Sequence, residues 1–156
     1  KYLLGHERTN IAGVGASTEA LNQLKALGRK VKRYGKPLAA DPLFAARVAE
    51  VEIDLEAMRM TNLRMLFGTS DAQGSVSSML KIKGTVIRQQ INDLARRALG
   101  PAASPFPSED VIGNYGIAPP EAAANAANYF NNRKLSIFGG SNEIQRNIIA
   151  KETFGA

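Results

Sequence analysis

Apolar residues that recur every three or four positions in three long stretches constrain the fold of this chain more than any other feature. The stretches run from Glu7 to Val31, from Asp41 to Phe67 and from Ser75 to Ala98. This spacing places apolar side chains on one face of an α-helix, whereas a half-buried strand alternates apolar and polar residues. The pattern therefore predicts three long helices, and no strand-length alternation between hairpin turns is found.

Each predicted helix carries a stripe of residues that we expect to face the core. In the second and third helices the stripes are Phe44, Val48, Val51, Leu55, Met58, Asn62 and Leu66, then Val76, Leu80, Lys83, Val86 or Ile87, Ile91, Leu94 and Ala98. A fourth helix is predicted over Glu121 to Leu135, with Ala122, Ala126, Tyr129 and Phe130 inward, and a fifth with apolar positions Ile144, Ile148 and Ile149. These stripes can be buried only against one another. We therefore predict an all-α fold, a four-helix up-and-down bundle with an additional short C-terminal helix.

Residues with special backbone preferences mark the helix ends. Asp41 before Pro42 predicts an N-cap followed by proline at the first helical position, where the missing amide costs nothing. Gly35 and Pro37 are predicted to end helix one. The prolines, serines and glycines of residues 101–118 predict a loop within one domain rather than a domain boundary.

Size and composition limit the function classes. The 156 residues fit a single domain, 1–156, large enough to bury a core without disulfides. The chain has no cysteine and one histidine, so disulfides and thiolate nucleophiles are excluded and no metal site is predicted. No apolar run approaches the roughly 20 residues that cross a bilayer and no secretion signal is recognisable, so we expect a soluble, cytoplasmic protein with no membrane partner.

The net charge of +6 allows several partners. The densest basic cluster, residues 29–36, is too short and too poor in aromatic residues for a nucleic-acid stacking platform. We interpret it as a solvated face, with a phosphate-bearing coenzyme as the alternative, and predict no nucleic-acid partner.

Two consecutive glycines, Gly139 and Gly140, precede the fifth helix, and Ser141 offers a hydroxyl N-cap. The unpaired amides and positive dipole end of a helix N-terminus attract anions and polar cofactor groups. This diglycine turn is therefore a candidate docking point for a group rich in oxygen atoms. The alternative is a glycine turn followed by an amphipathic helix with no ligand.

The run IFGGSNEIQRNIIA, residues 137–150, closely resembles the closing motif of the acyl-CoA dehydrogenases, and LLGHERTNIAGVG, residues 3–15, resembles the start of their C-terminal domain. The resemblance implies a domain cut from a longer enzyme, with N-terminal helical and middle β-domains absent. It also implies FAD as cofactor, an acyl-CoA thioester as substrate, and a homo-oligomer, either dimer or tetramer. The isolated domain is expected to be inactive.

The reaction implied by this resemblance removes a proton next to the thioester and transfers hydride from the adjacent carbon to flavin. In many members the base is a glutamate at the position of Gly139, and glycine cannot abstract a proton. Other members, the isovaleryl- and long-chain types among them, carry the base at the position matched by Glu7. The resemblance therefore implies Glu7 as the catalytic base. The alternative is an acid that only stabilises the first turn of a helix through the dipole.

The same resemblance assigns further site residues. It implies that His6, Arg8 and the backbone of Gly140 border the acyl-CoA substrate. It implies that three residues at the start of the fifth helix contact FAD, namely Ser141, Asn142 and Glu143. The negative charge of Glu143 would repel a phosphate, so we expect it to accept hydrogen bonds from amide or hydroxyl groups.

Two departures from the family pattern keep other functions open. Val31 stands where the family commonly has an arginine that contacts the cofactor of a neighbouring subunit, and residues 99–113 lack the usual glycine-rich cofactor segment. One alternative is a non-catalytic subunit of a hetero-oligomeric dehydrogenase. Another is a basic helical interaction module that binds nucleic acid.

Overall fold

The computed structural model describes residues 12–67, 73–104, 120–122 and 124–155. Its α-helices are α1 (Val14–Lys30), α2 (Pro42–Phe67), α3 (Gln73–Leu99), α4 (Asn125–Asn131) and α5 (Asn142–Phe154). Two short strands, β1 (Lys32–Arg33) and β2 (Lys36–Pro37), pair between α1 and α2. Short 3-10 helices cover Leu38–Ala40, Gly100–Ala103, Pro120–Ala122 and Asn132–Ser136. The predicted all-α bundle is confirmed.

The start of α2 shows how the sequence sets a helix boundary. The Asp41 carboxylate accepts hydrogen bonds from the backbone N–H groups of Leu43 at 2.8 Å and Phe44 at 3.0 Å. Pro42 is the first helical residue, where its ring is pre-organised and no donor is lost. The predicted cap is confirmed.

Helix α3 lies at the centre of the bundle and packs against α1, α2 and α5. The main core combines buried apolar residues of α1, α2 and α3, together with Ala12: Ala12, Leu21, Leu24, Val48, Val51, Leu55, Met58, Leu80, Ile87, Ile91 and Leu94. A smaller cluster closes the other end: Leu27, Leu38, Ala98, Leu99, Ala103 and Ala122. Burial of these side chains, each worth about 1.5–3 kcal/mol for a large aliphatic residue, holds the helices together.

Four residues predicted to face the core are exposed instead: Leu66, Lys83, Phe130 and Ile144. In α3 the buried lysine is Lys81, two residues earlier than predicted. In α5 the buried positions are the polar residues Asn142 and Gln145. In α3 and α5 apolar spacing misplaces the face because the buried Lys81, Asn142 and Gln145 make hydrogen bonds rather than apolar contacts.

The hairpin after α1 was not predicted. Lys32 pairs with Pro37 and Arg33 with Lys36, and the turn between them has positive φ angles of 50° at Tyr34 and 78° at Gly35. Positive φ at both central residues is typical of the tight type I′ hairpin turn. Strands of two residues contain no alternation to detect, so only the turn could have indicated the hairpin.

The fourth helix is shorter than predicted. Instead of one helix from Glu121 to Leu135, the chain forms the α-helix Asn125–Asn131 with 3-10 turns on either side. Asparagines recur at 125, 128, 131 and 132, and their side chains compete with helical backbone hydrogen bonds. Most of the loop predicted over residues 101–118 lies outside the described residues.

Candidate functional site

The diglycine turn lies directly before α5, as the sequence predicts. Gly139 and Gly140 have φ angles of 67° and 88°, in the left-handed region that glycine adopts without steric cost. Ser141 is the N-cap of α5, and its hydroxyl accepts a hydrogen bond from the Ile144 N–H at 3.5 Å, a long and weak contact. The turn thus presents the first amides of a thirteen-residue helix at the surface of the bundle.

Gln145 holds the diglycine turn from inside. Its side chain is fully buried, and Nε2 donates to the carbonyl oxygens of Gly139 and Gly140, each at 3.3 Å. A Cβ added to Gly140 would lie 2.6 Å from this nitrogen, closer than real Cβ contacts. Gly140 is therefore favoured by its φ angle, and any Cβ at this position would displace the end of the Gln145 side chain. Sequence reasoning gave Gln145 no role, although it lies within the motif.

The structure places the side chain of Asn142 inside the bundle. Its Oδ1 accepts a hydrogen bond from the Lys81 ammonium at 2.9 Å and lies 3.4 Å from the Thr85 hydroxyl. Its side chain is committed to α3, whereas the next two residues of α5, Glu143 and Ile144, are exposed. This polar contact between α3 and α5 is the second feature of the site that the sequence did not indicate.

Glu143 faces outward beside Ser141. Its pKa is lowered because the carboxylate accepts hydrogen bonds from its own backbone N–H and the Ser141 hydroxyl, and because Arg146 and Lys81 add positive charge nearby. The Arg146 guanidinium lies 3.7 Å from the carboxylate. The first turn of α5 thus presents one ionised carboxylate, which is held by the Ser141 hydroxyl and by its own backbone N–H.

The predicted residues His6, Glu7 and Arg8 lie outside the described residues, so their positions relative to the diglycine turn stay predictions. Within the described part of the chain, no group of three acidic, histidine or cysteine side chains could hold a metal ion.

Members of the predicted basic cluster have partners within the bundle. Lys30 Nζ pairs with Glu121 at 2.6 Å, and Arg33 Nη2 donates to the Arg97 carbonyl oxygen at 2.7 Å. These contacts favour the solvated-face interpretation of the cluster over a docking surface.

A groove of 560 Å³ lies between α2 and α3 and is bounded by Arg133, and no residue of the diglycine turn lines it. Its charged lining residues are Arg47, Glu50, Asp93, Arg97 and Arg133. Burial opposes ionisation of Asp93, but hydrogen bonds from Arg97 and Arg96 outweigh it and lower the pKa of this carboxyl. Several of the groove's charges are thus paired internally.

Comparison with known proteins decides the family. The family described as acyl-CoA dehydrogenase, C-terminal domain, matches residues 1–154. The chain belongs to this family. The acyl-CoA dehydrogenase IpdE1 of Mycobacterium tuberculosis is 29% identical over 146 residues, which cover 92% of this chain and 34% of that protein.

Solved structures share the fold of this acyl-CoA dehydrogenase domain. PigA with FAD and proline has a TM-score of 0.76 at 18% identity, covering 96% of this chain and 36% of that one. The glutaryl-coenzyme A dehydrogenase glutaryl-CoA complex has a TM-score of 0.70 at 21% identity, covering 97% and 36%. The chain therefore spans about a third of the length of these relatives.

No described helix combines the length and apolar character needed to cross a membrane.

Proposed function

We propose that this chain is the C-terminal bundle of a flavin-dependent acyl-CoA dehydrogenase that introduces a double bond next to the thioester of an acyl-CoA. The observation that carries the proposal is the family match over residues 1–154, together with a left-handed diglycine turn at the head of α5. The N-terminal helical and middle β-domains would complete the site, so the bundle alone is expected to be inactive.

The first turn of α5 fits FAD. The Ser141 hydroxyl and the N–H groups of Glu143 and Ile144 are paired within the turn, so the contact would be made by the Asn142 backbone and by the two glycines, which let an oxygen-rich group approach the backbone closely. Glu143 would accept from an amide or hydroxyl, since its charge repels phosphate. Asn142 would contribute its backbone, because its side chain faces Lys81. When bound, the flavin supplies the hydride acceptor.

Glu7 is the proposed catalytic base. Its carboxylate would take the proton from the carbon next to the thioester while hydride leaves the adjacent carbon and the double bond forms between the two. Such a base works best when a dry site raises its pKa towards the working pH. His6, Arg8 and the Gly140 backbone would align the thioester. Many family members carry the base at the position of Gly139. The glycine there would leave room for the Glu7 carboxylate to reach the same carbon.

Product analysis tests this proposal. The full-length protein, purified with FAD, is mixed without oxygen with butyryl-, octanoyl-, palmitoyl- and isovaleryl-CoA. We expect bleaching of the flavin absorbance and an enoyl-CoA that has lost two hydrogens by mass spectrometry. Absence of both with every substrate, in a protein that binds FAD, would favour the second candidate below.

The second candidate is a non-catalytic subunit of a hetero-oligomeric dehydrogenase. Gly139 at the usual base position and Val31 in place of the cofactor-contacting arginine favour it. This subunit would bind flavin without oxidising any acyl-CoA until a catalytic partner is added. Reconstitution with such a partner separates the two candidates.

The outer face of α2 supports assembly into a homo-oligomer. Ile53, Met60 and Phe67 are spaced seven residues apart on this face and are 69%, 43% and 84% exposed. They lie opposite the core residues Val51, Leu55 and Met58, so α2 is apolar on two sides. An exposed apolar stripe of this kind is typical of a helix that packs against another molecule. Light scattering of the full-length protein measures the proposed dimer or tetramer.

A further inference from the structure

Lys81 of α3 is fully buried, with 0% of its surface exposed. Lysine is almost never fully buried unless its charge is paired. The ion pairs between described residues do not include it, whereas the exposed Lys83 on the same helix pairs with Asp54 at 3.1 Å. In the described part of the chain the ammonium instead donates to Asn142 Oδ1 at 2.9 Å. A costly buried cation is thus directed at the first residue of α5.

This contact belongs to an inner set of hydrogen bonds that fix the head of α5. Lys81 and Thr85 of α3 hold the Asn142 side chain, at 2.9 Å and 3.4 Å. Three residues further along α5, Gln145 holds the carbonyls of the diglycine turn. Because Asn142 lies between Ser141 and Glu143, its anchorage determines where those two outward groups stand.

The charge of Lys81 also acts on the Glu143 carboxylate, on the outer side of the turn. Burial lowers the pKa of Lys81, and the negative charge of Glu143 opposes this shift. Lys81 in turn is one of the groups that lower the pKa of Glu143. A cation beneath a helix N-terminus adds to the positive end of the helix dipole. Lys81 therefore offsets part of the negative charge that Glu143 brings to the first turn of α5.

We propose that Lys81 is a positioning residue that anchors the first turn of α5 through Asn142 and adds positive potential at the place where that turn would contact the flavin. The inference rests on the proposed function and deepens it. A reduced flavin carries more negative charge than an oxidised one, so a fixed cation close to the flavin favours its reduction. Lys81 would thus tune the cofactor without touching it.

The experiment compares Lys81→Met with Lys83→Met in the full-length protein. The methionine keeps most of the length of the buried side chain and removes its charge, while the control removes an exposed lysine from the same helix. FAD affinity is measured by fluorescence titration and the flavin midpoint potential by dye-coupled reduction. We expect Lys81→Met to weaken FAD binding by about tenfold, the size of a lost charged hydrogen bond, and to lower the potential. Lys83→Met should change neither.

Asn142→Asp provides a second variant in case the first fails to fold. It keeps the contact with Lys81 but places a carboxylate against the ammonium, so the net charge beneath the turn falls. We expect a lower midpoint potential with a folded protein. Unchanged potentials in the folded variants, with only a lower melting temperature, would show that Lys81 is structural and overturn the inference. Absence of FAD binding by the unmodified protein would overturn the proposed function itself.

Discussion

The Gln145 side chain donates to the Gly140 carbonyl oxygen at 3.3 Å, and the same nitrogen would lie 2.6 Å from any Cβ at Gly140. One buried amide thus holds the diglycine turn and would have to shift to admit any side chain at Gly140. The head of α5 is built from α3 and α5 side chains that are polar and buried, which is uncommon in a bundle core.

Gly140→Ala is expected to destabilise the protein more than Gly100→Ala. Both residues have positive φ angles, 88° and 60°, and each alanine meets the strain of a left-handed backbone, about 1–2 kcal/mol. Only at Gly140 does the new Cβ also collide with a buried side chain, since nothing lies within 4 Å of one at Gly100. Urea unfolding of the two variants measures the difference, and equal losses would mean that Gln145 does not constrain the turn.

Gly84→Ala is expected to cost about 1–3 kcal/mol by overpacking. A Cβ at Gly84 of α3 would lie 2.3 Å from the Ala12 carbonyl oxygen, a backbone atom that cannot move aside alone. Gly15→Ala in α1 is the control, because nothing lies within 4 Å of its added Cβ. That change should be neutral or stabilise by up to about 1 kcal/mol. Thermal or urea unfolding distinguishes the two, and a well-tolerated Gly84→Ala would contradict the close approach.

Asp41→Ala is expected to lower the free energy of unfolding by about 1 kcal/mol, because two N–H groups at the start of α2 lose their acceptor. Asp41→Asn should retain most of the stability, since asparagine caps a helix about as well as aspartate. Chemical denaturation of both variants gives the comparison. If asparagine proved as damaging as alanine, the charge rather than the cap would be responsible.

Lys81 gives the protein a pH dependence with a definite sign. Burial lowers its pKa below the usual 10.5, so the unfolded chain holds this proton more tightly than the folded chain. Stability therefore rises with pH between the folded pKa and 10.5, as the cost of burying the charge disappears.

Unfolding of the wild type and of Lys81→Met is compared across that pH range. We expect the wild type to gain stability relative to the variant as pH rises towards 10.5, and Lys83→Met serves as the control for losing a lysine from α3. A stability difference that does not change with pH would contradict a buried, charged Lys81.

The three long helices could be predicted because their stripes are apolar and their ends carry local signals such as Asp41 before Pro42. The hairpin could not, since its strands have two residues each and its turn depends on Tyr34 adopting a positive φ angle. The short α4 follows from asparagines whose weak helix propensity the apolar spacing conceals.

For the site, the diglycine turn and the Ser141 cap were predictable from local residue preferences. The roles of Gln145 and Asn142 could not be predicted. The role of Gln145 depends on the conformation of the diglycine turn, and the role of Asn142 depends on how α5 packs against α3. The buried Asn142 side chain accepts a hydrogen bond from Lys81, 61 positions away in the sequence. A polar residue gives no periodic signal of burial when its partner is another polar group on a different helix.

Stopped-flow measurement of flavin reduction tests the role of Glu7 most directly. The flavin-loaded full-length protein is mixed without oxygen with whichever of the four acyl-CoA esters named above bleaches its flavin, and Glu7→Gln is compared with Glu19→Gln, an exposed acid of α1. We predict that Glu7→Gln slows reduction on the order of 10²- to 10⁴-fold with flavin still bound, because the proton has no acceptor, while Glu19→Gln is unaffected. Flavin reduction by Glu7→Gln at close to the wild-type rate would contradict the mechanism.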